Sequence, residues 1–461
     1  MKHPLILLAI LWLAANSSNI WYPTPDGCGY LSIARELATT GTFRNLNSPQ
    51  LYYPIGYSLL IAPAFLIDDE PFWLISIIHF LLGLVLIWLI YTWAREYVPV
   101  HAPWLVLLAV GSASFGNIYR RTLSETLFML LCFATARSMM NVLKYNRGKW
   151  STMLLMMALI LTRPAGAMLA VGFATVVALG IICKEISLRR GVLLGLLVVP
   201  AALLQFAMMQ RDRAIATELN KPTYTAQIRD PSMNLGEQLL EGVRLRVQEC
   251  GRVLLPGMYK SYARAGVWWN INMMLYTPLA IVAGIGWYKF VRNHRDVLMV
   301  TLPWYVLLYV VWPYDQSTRF FTPIVPLLAL AVVTFPWRFS QDRIRKIGAT
   351  IAILHLGVAV GYWLFSERPT ALAQQRAAQE LREVIQHIPI AEQNAVGVSR
   401  TFGDEFAWLQ FLINREVQVI DVGKPITKIR WLLLKPQDDV PTGWSLITVH
   451  RNGIRLTHRN P

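Results

Sequence analysis

From Pro71 to Trp93 the chain reads PFWLISIIHFLLGLVLIWLIYTW, without one charged side chain, and the run closes at Arg95. A helix of that length rises about 35 Å, enough to cross the hydrocarbon core of a bilayer, about 30 Å thick. Asp68, Asp69, Glu70 and Pro71 supply a helix start, with carboxylates beside the positive end of the helix dipole and a proline in the first turn. Composition extends this reading to the whole chain. Of its 461 residues, 55% are hydrophobic and only 15% charged, against about 25% charged in average soluble domains. An ordinary cytosolic enzyme, a disordered chain and a collagen are thereby excluded, and four cysteines are too few for a disulfide-stapled small domain.

Working outward, comparable apolar stretches run from Pro4 to Ala15, His101 to Ile118, Glu125 to Met140, Gly191 to Met209, Gly266 to Tyr288, Val297 to Pro313, Phe320 to Pro336 and Ile347 to Phe365. Between Lys149 and Lys184 there is too little chain for two full crossings. A short rising helix, Ser151 to Leu161, is therefore expected to break at Arg163-Pro164, followed by a fuller descending one. Basic groups at Lys144–Lys149, Lys184–Arg190, Lys289–Arg295 and Arg338–Lys346 mark the cytoplasmic side. The expectation is a multi-span α-helical membrane protein of about eleven crossings, amino terminus inside and tail outside, in the cytoplasmic (inner) membrane. Ile55 to Ile67 follows Pro54, contains Pro63 and is too short to cross; it reads as an interfacial helix. Two long polar segments, 21–70 and 210–265, fall on the outer side of the transmembrane region 1–365. The remainder, 366–461, has helical character from about Thr370 to Ile388 and then short β-like runs, as in a small extracytoplasmic α/β domain.

The net charge of +16 would suggest nucleic acid in a soluble protein, but in so apolar a chain no nucleic-acid partner is expected, and most of it is explained by cytoplasmic loops. Some cations do not fit that explanation. Arg120, Arg121 and Arg319 lie in short outer loops, and Arg163 approaches the same side at membrane depth, where it needs a cavity, water or an anion. The long outer segment adds Arg244, Arg246, Arg252, Lys260 and Arg264. Guanidinium groups gathered at one membrane face suit a phosphate, which they bind bidentately; alternatively they snorkel to headgroups and anchor helices. Two carboxylates share that side. Asp26 reads either as a general base or as a turn residue before Gly27, and Glu125 either as a site residue or as the third position of a capping box begun by Thr122.

These residues fall into patterns that resemble a known superfamily. Asp26-Gly-Cys-Gly-Tyr30, then Ala34, Leu37 and Gly41-Thr42-Phe43, then Tyr53-Pro54-Ile55-Gly56-Tyr57, resemble the first extracytoplasmic loop of GT-C glycosyltransferases. These are integral-membrane enzymes that use polyprenyl-phosphate-linked sugars, and the likeness is to bacterial relatives of the protein O-mannosyltransferases and of the lipid A aminoarabinose transferases. Ser124-Glu125-Thr126-Leu127-Phe128 resembles their second acidic position. Leu161-Thr162-Arg163-Pro164 with Gly166 resembles a Thr-Arg-Pro-Glu-Gly stretch, Ala165 standing for the acidic residue; Arg319-Phe320-Phe321-Thr322-Pro323 through Pro326 resembles an Arg-Tyr segment followed by two prolines. The resemblance covers about residues 1 to 335 in order.

What the resemblance implies is a hexosyl- or pentosyltransferase. Its donor is a polyprenyl-phosphate sugar, its acceptor a lipid, glycan or protein, and its active site faces outward. It implies Asp26 as catalytic base with inversion at the anomeric carbon, and Glu125 as the second acidic group. Arg120, Arg121, Arg163 and Arg319 would surround the donor phosphate, and Tyr30, Tyr53 and Tyr57 the sugar pocket. A divalent metal is left open, since the outer loops carry no evident His/Glu constellation. The competing class is a transporter or lipid flippase using the boundary carboxylates and Arg163. Against it, the two halves carry no paired interrupted segments.

Overall fold

The computed structural model describes the chain apart from residues 1–2, 18–23, 46–47, 50–52, 221–222, 224–232, 258–266, 313–317, 390–395, 400–408, 413–417, 421–428, 443, 450–452 and 460–461. In chain order its helices are α1 (Pro4–Asn16), α2 (Pro25–Thr40), α3 (Ile55–Ile61), α4 (Phe72–Tyr97), α5 (Ala102–Gly111), α6 (Ala113–Tyr119), α7 (Glu125–Tyr145), α8 (Lys149–Thr162) and α9 (Ala167–Ile182). There follow α10 (Leu188–Gly195), α11 (Val199–Leu219), α12 (Leu235–Leu254), α13 (Val267–Asn293), α14 (Val297–Val310), α15 (Val325–Thr334), α16 (Gln341–Tyr362) and α17 (Arg368–Ile385). Strands are β1 (Arg44–Asn45), β2 (Ser48–Pro49), β3 (Val396–Ser399), β4 (Gln418–Ile420), β5 (Trp431–Leu434), β6 (Trp444–Val449) and β7 (Arg455–Arg459).

Among the described residues, six helices are long and apolar enough to cross a membrane: Phe72–Tyr97, Glu125–Tyr145, Pro164–Ile182, Leu188–Leu219, Asn270–Asn293 and Gln341–Ile385. Helices α5 and α6, bent by 55° at their junction, are long and apolar enough only when taken together. The other stretches expected to cross form helices too short to span alone: α1, α8, α14 and the 3-10/α15 pair Thr322–Thr334. The sequence expectation of about eleven crossings counts these shorter helices together with the long ones. Many side chains on the bundle's outer faces are apolar, with Leu81, Trp88, Leu203, Phe206, Met274 and Leu354 all exposed. In water such a surface would aggregate, whereas lipid covers it at no such cost.

The chain forms two compact units. The first is Met1–Ser18, Ser76–Tyr119 and Ser124–Trp363; the second is Asn19–Ile75, Arg120–Leu123 and Leu364–Pro461. The first outer loop and the tail therefore belong together, whereas a linear division at 365/366 separates them. Within the first unit α7 packs on α8, α9 on α14, α13 on α15, and α5 on α1 and α16. Gly172 lets α9 approach α14 at Thr301, and Gly286 lets α13 approach the Ala331 carbonyl of α15; a Cβ at either position would overlap its neighbour. Small residues at such crossings are how apolar helices pack when lipid competes for the same surface.

In the second unit, the stretch read as a polar loop contains α2. Thr24 caps it by accepting from the Gly27 amide at 3.0 Å, Pro25 opens its first turn, and Gly41 ends it in the left-handed conformation at φ 67°. Arg35, midway along α2, donates to the Phe411 carbonyl at 2.7 Å and lies over the Phe411 ring. The tail sheet runs in the order β4-β3-β5-β7-β6, with β3 parallel to β4 and β5, and β7 antiparallel to β5 and β6. Leu381, Val384 and Ile385 of α17 close one face over Val396, Val398, Leu433 and Leu456; Leu432 and Leu434 point to the other, with Trp444. This alternation is the period of two expected of a covered sheet.

Candidate active site

Glu125 opens α7 and is wholly buried. The capping reading of this residue is corrected. Ser124 is the N-cap, Glu125 follows it directly, no side-chain cap bond forms, and Thr122 sits at φ 49° rather than at a cap. The carboxylate is instead held by two guanidinium groups. Arg163 Nη1 lies 2.6 Å from Oε1, and Arg319 Nε donates to the same oxygen. Oε2 is buried with no hydrogen-bond partner. Among the described residues no group of three His, Cys, Asp or Glu side chains gathers as metal ligands would.

Local structure explains why these three side chains meet. α8 ends where Pro164 removes a backbone donor, and Arg163 takes an extended conformation (φ −155°, ψ 133°) that carries it off the helix. Gly166 then folds the turn back onto α8 so closely that a Cβ would lie 2.6 Å from Leu159 Cγ. Arg163 rests between two rings, 5.7 Å from Phe128 and 5.4 Å from Phe320. On the other side, Arg319 stands on a turn between α14 and α15. Thr322 Oγ1 donates to the Thr318 carbonyl at 2.8 Å, and Tyr305 Oη to the Phe320 carbonyl at 2.9 Å. Phe320 stacks on Tyr309 at 4.3 Å. Two guanidinium groups facing one carboxylate leave an excess positive charge in a low-dielectric setting, where it acts far more strongly than in water.

Asp26 lies in the first turn of α2 and is half-buried. The turn is pressed against Arg121 and Thr122: a Cβ on Gly27 would lie 2.7 Å from both the Arg121 carbonyl and Thr122 Oγ1. Only glycine permits that approach. Arg120 forms a buried ion pair with Glu367 within this unit. Tyr30 packs against Tyr53 and Tyr57, ring centroids 5.2 Å and 5.3 Å away. Tyr57 is wholly buried and Tyr30 nearly so, which makes them core residues here; Tyr53 alone of the three is half-exposed.

Sequence reasoning missed the rings of Phe128 and Phe320, although both lie inside the motifs it used. It also missed the inward face of α12, where Arg246 pairs with Glu249 at 3.0 Å and Gln248 and Arg252 are buried. The pattern was available: these positions share one helical face with Gln238, which donates to the Val311 carbonyl at 2.6 Å. Arg244, by contrast, is exposed beside Glu241. Lys260 and Arg264 lie outside the described residues.

No sequence-family profile matches the chain, and no curated protein sequence does either. Solved structures do. ArnT from Cupriavidus metallidurans bound to undecaprenyl phosphate aligns over 99% of this chain and 97% of its own, with TM-score 0.62 and 12% identity. The chain shares its fold with this ArnT. The apo state of the same ArnT aligns with TM-score 0.59 at 11% identity, over 98% of this chain and 97% of its own. The archaeal oligosaccharyltransferase AglB from Archaeoglobus fulgidus, in complex with an inhibitory peptide and a dolichol-phosphate, aligns with TM-score 0.52 at 12% identity. It covers 94% of this chain and 69% of that one. At such identities the likeness shows the fold alone, and chemistry must be argued from the residues.

Proposed function

We propose that the chain transfers a sugar from a polyprenyl-phosphate donor to a hydroxyl or amine acceptor on the outer side of the cytoplasmic membrane. The observation that carries this reading is the buried Glu125 carboxylate, shared by Arg163 and Arg319 through one oxygen while the other has no partner. Cleaving the bond between the anomeric carbon and the phosphate oxygen leaves a lipid phosphate with more negative charge than it began with. Arg163 and Arg319, already desolvated and fixed by rings and turns, stabilise that charge without reorganising. Glu125 holds their forks in register, and its Oε2 accepts a hydrogen bond from a sugar or acceptor hydroxyl.

Asp26 is the base. It takes the proton of the acceptor as the acceptor oxygen or nitrogen forms the new bond to the anomeric carbon, and single displacement inverts that centre. Arg121, beside the Asp26 turn, is the further cation for the phosphate; Arg120 is assigned to Glu367. Tyr53 contributes to the sugar pocket. The similar structures, ArnT bound to undecaprenyl phosphate and AglB in complex with a dolichol-phosphate, support a lipid-linked donor as the ligand of the outward arginines.

The test is mass spectrometry of envelope lipids, glycans and proteins from cells with the wild-type chain and with Asp26→Asn. The expected result is loss of a hexose or pentose from one component, with the variant inserted and folded as before. Unchanged glycosylation would overturn the assignment of Asp26. Loss of uptake or of lipid translocation, with glycosylation intact, would favour the transporter.

A further inference from the structure

The far end of α7 carries a second feature, unrelated to sugar transfer. Glu125 begins this helix and Tyr145 ends it, a rise of about 30 Å. Near Tyr145 a groove of about 290 Å³ opens between α4 and α7. Its lining is mixed: Leu89, Phe133, Ala136 and Met140 are apolar, Arg137 and Lys144 cationic, and Glu96 and the buried Asp296 acidic. On α7 these positions recur at three- and four-residue steps, one face of one helix.

We propose that this groove holds an anionic phospholipid of the leaflet opposite the Glu125 cluster, its phosphate between Arg137 and Lys144 and its first chain carbons along Phe133 and Met140. Three observations favour that occupant. Charge comes first. Arg137 and Lys144 share the lining with two carboxylates, Glu96 and Asp296. The buried Asp296 already accepts from the Tyr97 hydroxyl at 2.9 Å and the Met299 amide at 3.1 Å, which leaves Glu96 opposite the cations. Arg190 is drawn to the same helix end by a 2.7 Å hydrogen bond to the Leu143 carbonyl. Arg147 and Lys149 follow directly in the chain. Basic pockets between transmembrane helices recognise anionic headgroups.

Availability is the second. The Lys144–Glu96 pair, 2.6 Å apart, has side chains 42% and 51% exposed. An exposed pair of this kind is held weakly and exchanges readily for a phosphate. Arg137 donates to Thr92 Oγ1 at 2.8 Å and lies 5.0 Å over the Trp88 ring, so its guanidinium is oriented before a ligand arrives. Depth is the third. Trp88, Tyr145 and Trp150 are all exposed at this end, the placement of aromatic side chains at headgroup level. The volume suits a headgroup with the beginning of a chain rather than a folded peptide or a sugar nucleotide.

The experiment is lipid titration of the full-length protein in neutral detergent, read by native mass spectrometry, with phosphatidylglycerol, phosphatidylcholine and undecaprenyl phosphate as probes. Wild type is expected to hold phosphatidylglycerol at least about tenfold more tightly than phosphatidylcholine. Arg137→Gln with Lys144→Gln should remove that preference while leaving sugar transfer unchanged. Met140→Trp, which fills the groove and keeps both cations, should weaken phosphatidylglycerol binding as well. Equal retention of the two phospholipids, a preference that survives both variants, or displacement of phosphatidylglycerol from the groove by equimolar undecaprenyl phosphate would overturn the proposal.

Discussion

The two ends of α7 carry the same kinds of charge in opposite settings. At its start, Glu125 is wholly buried and Arg163 and Arg319 are 12% and 21% exposed. At its end, Lys144 and Glu96 pair in the open. Removing charges from water costs several kcal/mol each, so the first cluster persists only because its members compensate one another and the fold places them. The second involves almost no such cost and is free to exchange partners. Burial therefore separates a fixed cluster, which suits the proposed stabilisation of charge during sugar transfer, from an open one, which suits reversible recognition.

The sharpest way to break this comparison is to remove one member at each end. Glu125→Ala strands two guanidinium groups in the interior and should lower stability by about 3–5 kcal/mol, measured by denaturant unfolding in detergent. Replacing all three groups together, Glu125→Leu with Arg163→Met and Arg319→Leu, should restore most of that stability while sugar transfer stays lost. A stable and active triple variant would contradict the catalytic reading. Next in size is Arg163→Lys, which keeps the charge but loses the planar fork; transfer should fall about tenfold or more with stability little changed, read from initial rates.

A smaller effect belongs to helix entry. Asn234 and Glu237 form a reciprocal capping box on α12, with bonds of 2.9 Å and 3.2 Å. Asn234→Ala should cost about 1 kcal/mol, seen as a lowered Tm. At the open end Lys144→Gln should change stability by less than about 1 kcal/mol and leave transfer untouched. A larger loss there would show that the exposed pair is structural.

Several of these features are legible from the residues alone. The break at Arg163-Pro164 follows from counting chain between basic loops, and the tail strands follow from alternating apolar residues. Legibility ended where the decisive contact is made by residues far apart in sequence. Arg319 reaches Glu125 across 194 positions, and nothing local distinguishes it from a lipid-anchoring arginine. Glu125 was ambiguous for the converse reason: Thr-x-x-Glu is a capping pattern, and the positive φ of Thr122 together with Ser124 at the N-cap rules that out. α2 was hidden because glycines and polar residues dilute its helical period, while its cap and closing Gly41 are tertiary and backbone features. The number of crossings was the least legible feature, because apolar run length does not distinguish a full span from a shorter helix such as α8, ended by Pro164.

The central claim is that Arg163 and Arg319 hold a lipid phosphate. It is tested most directly by binding of undecaprenyl phosphate to the purified protein, wild type against Arg163→Gln with Arg319→Gln. Loss of two desolvated charge-assisted contacts should weaken binding by about 100-fold, or about 3 kcal/mol. Equal affinity in the two proteins would contradict the account.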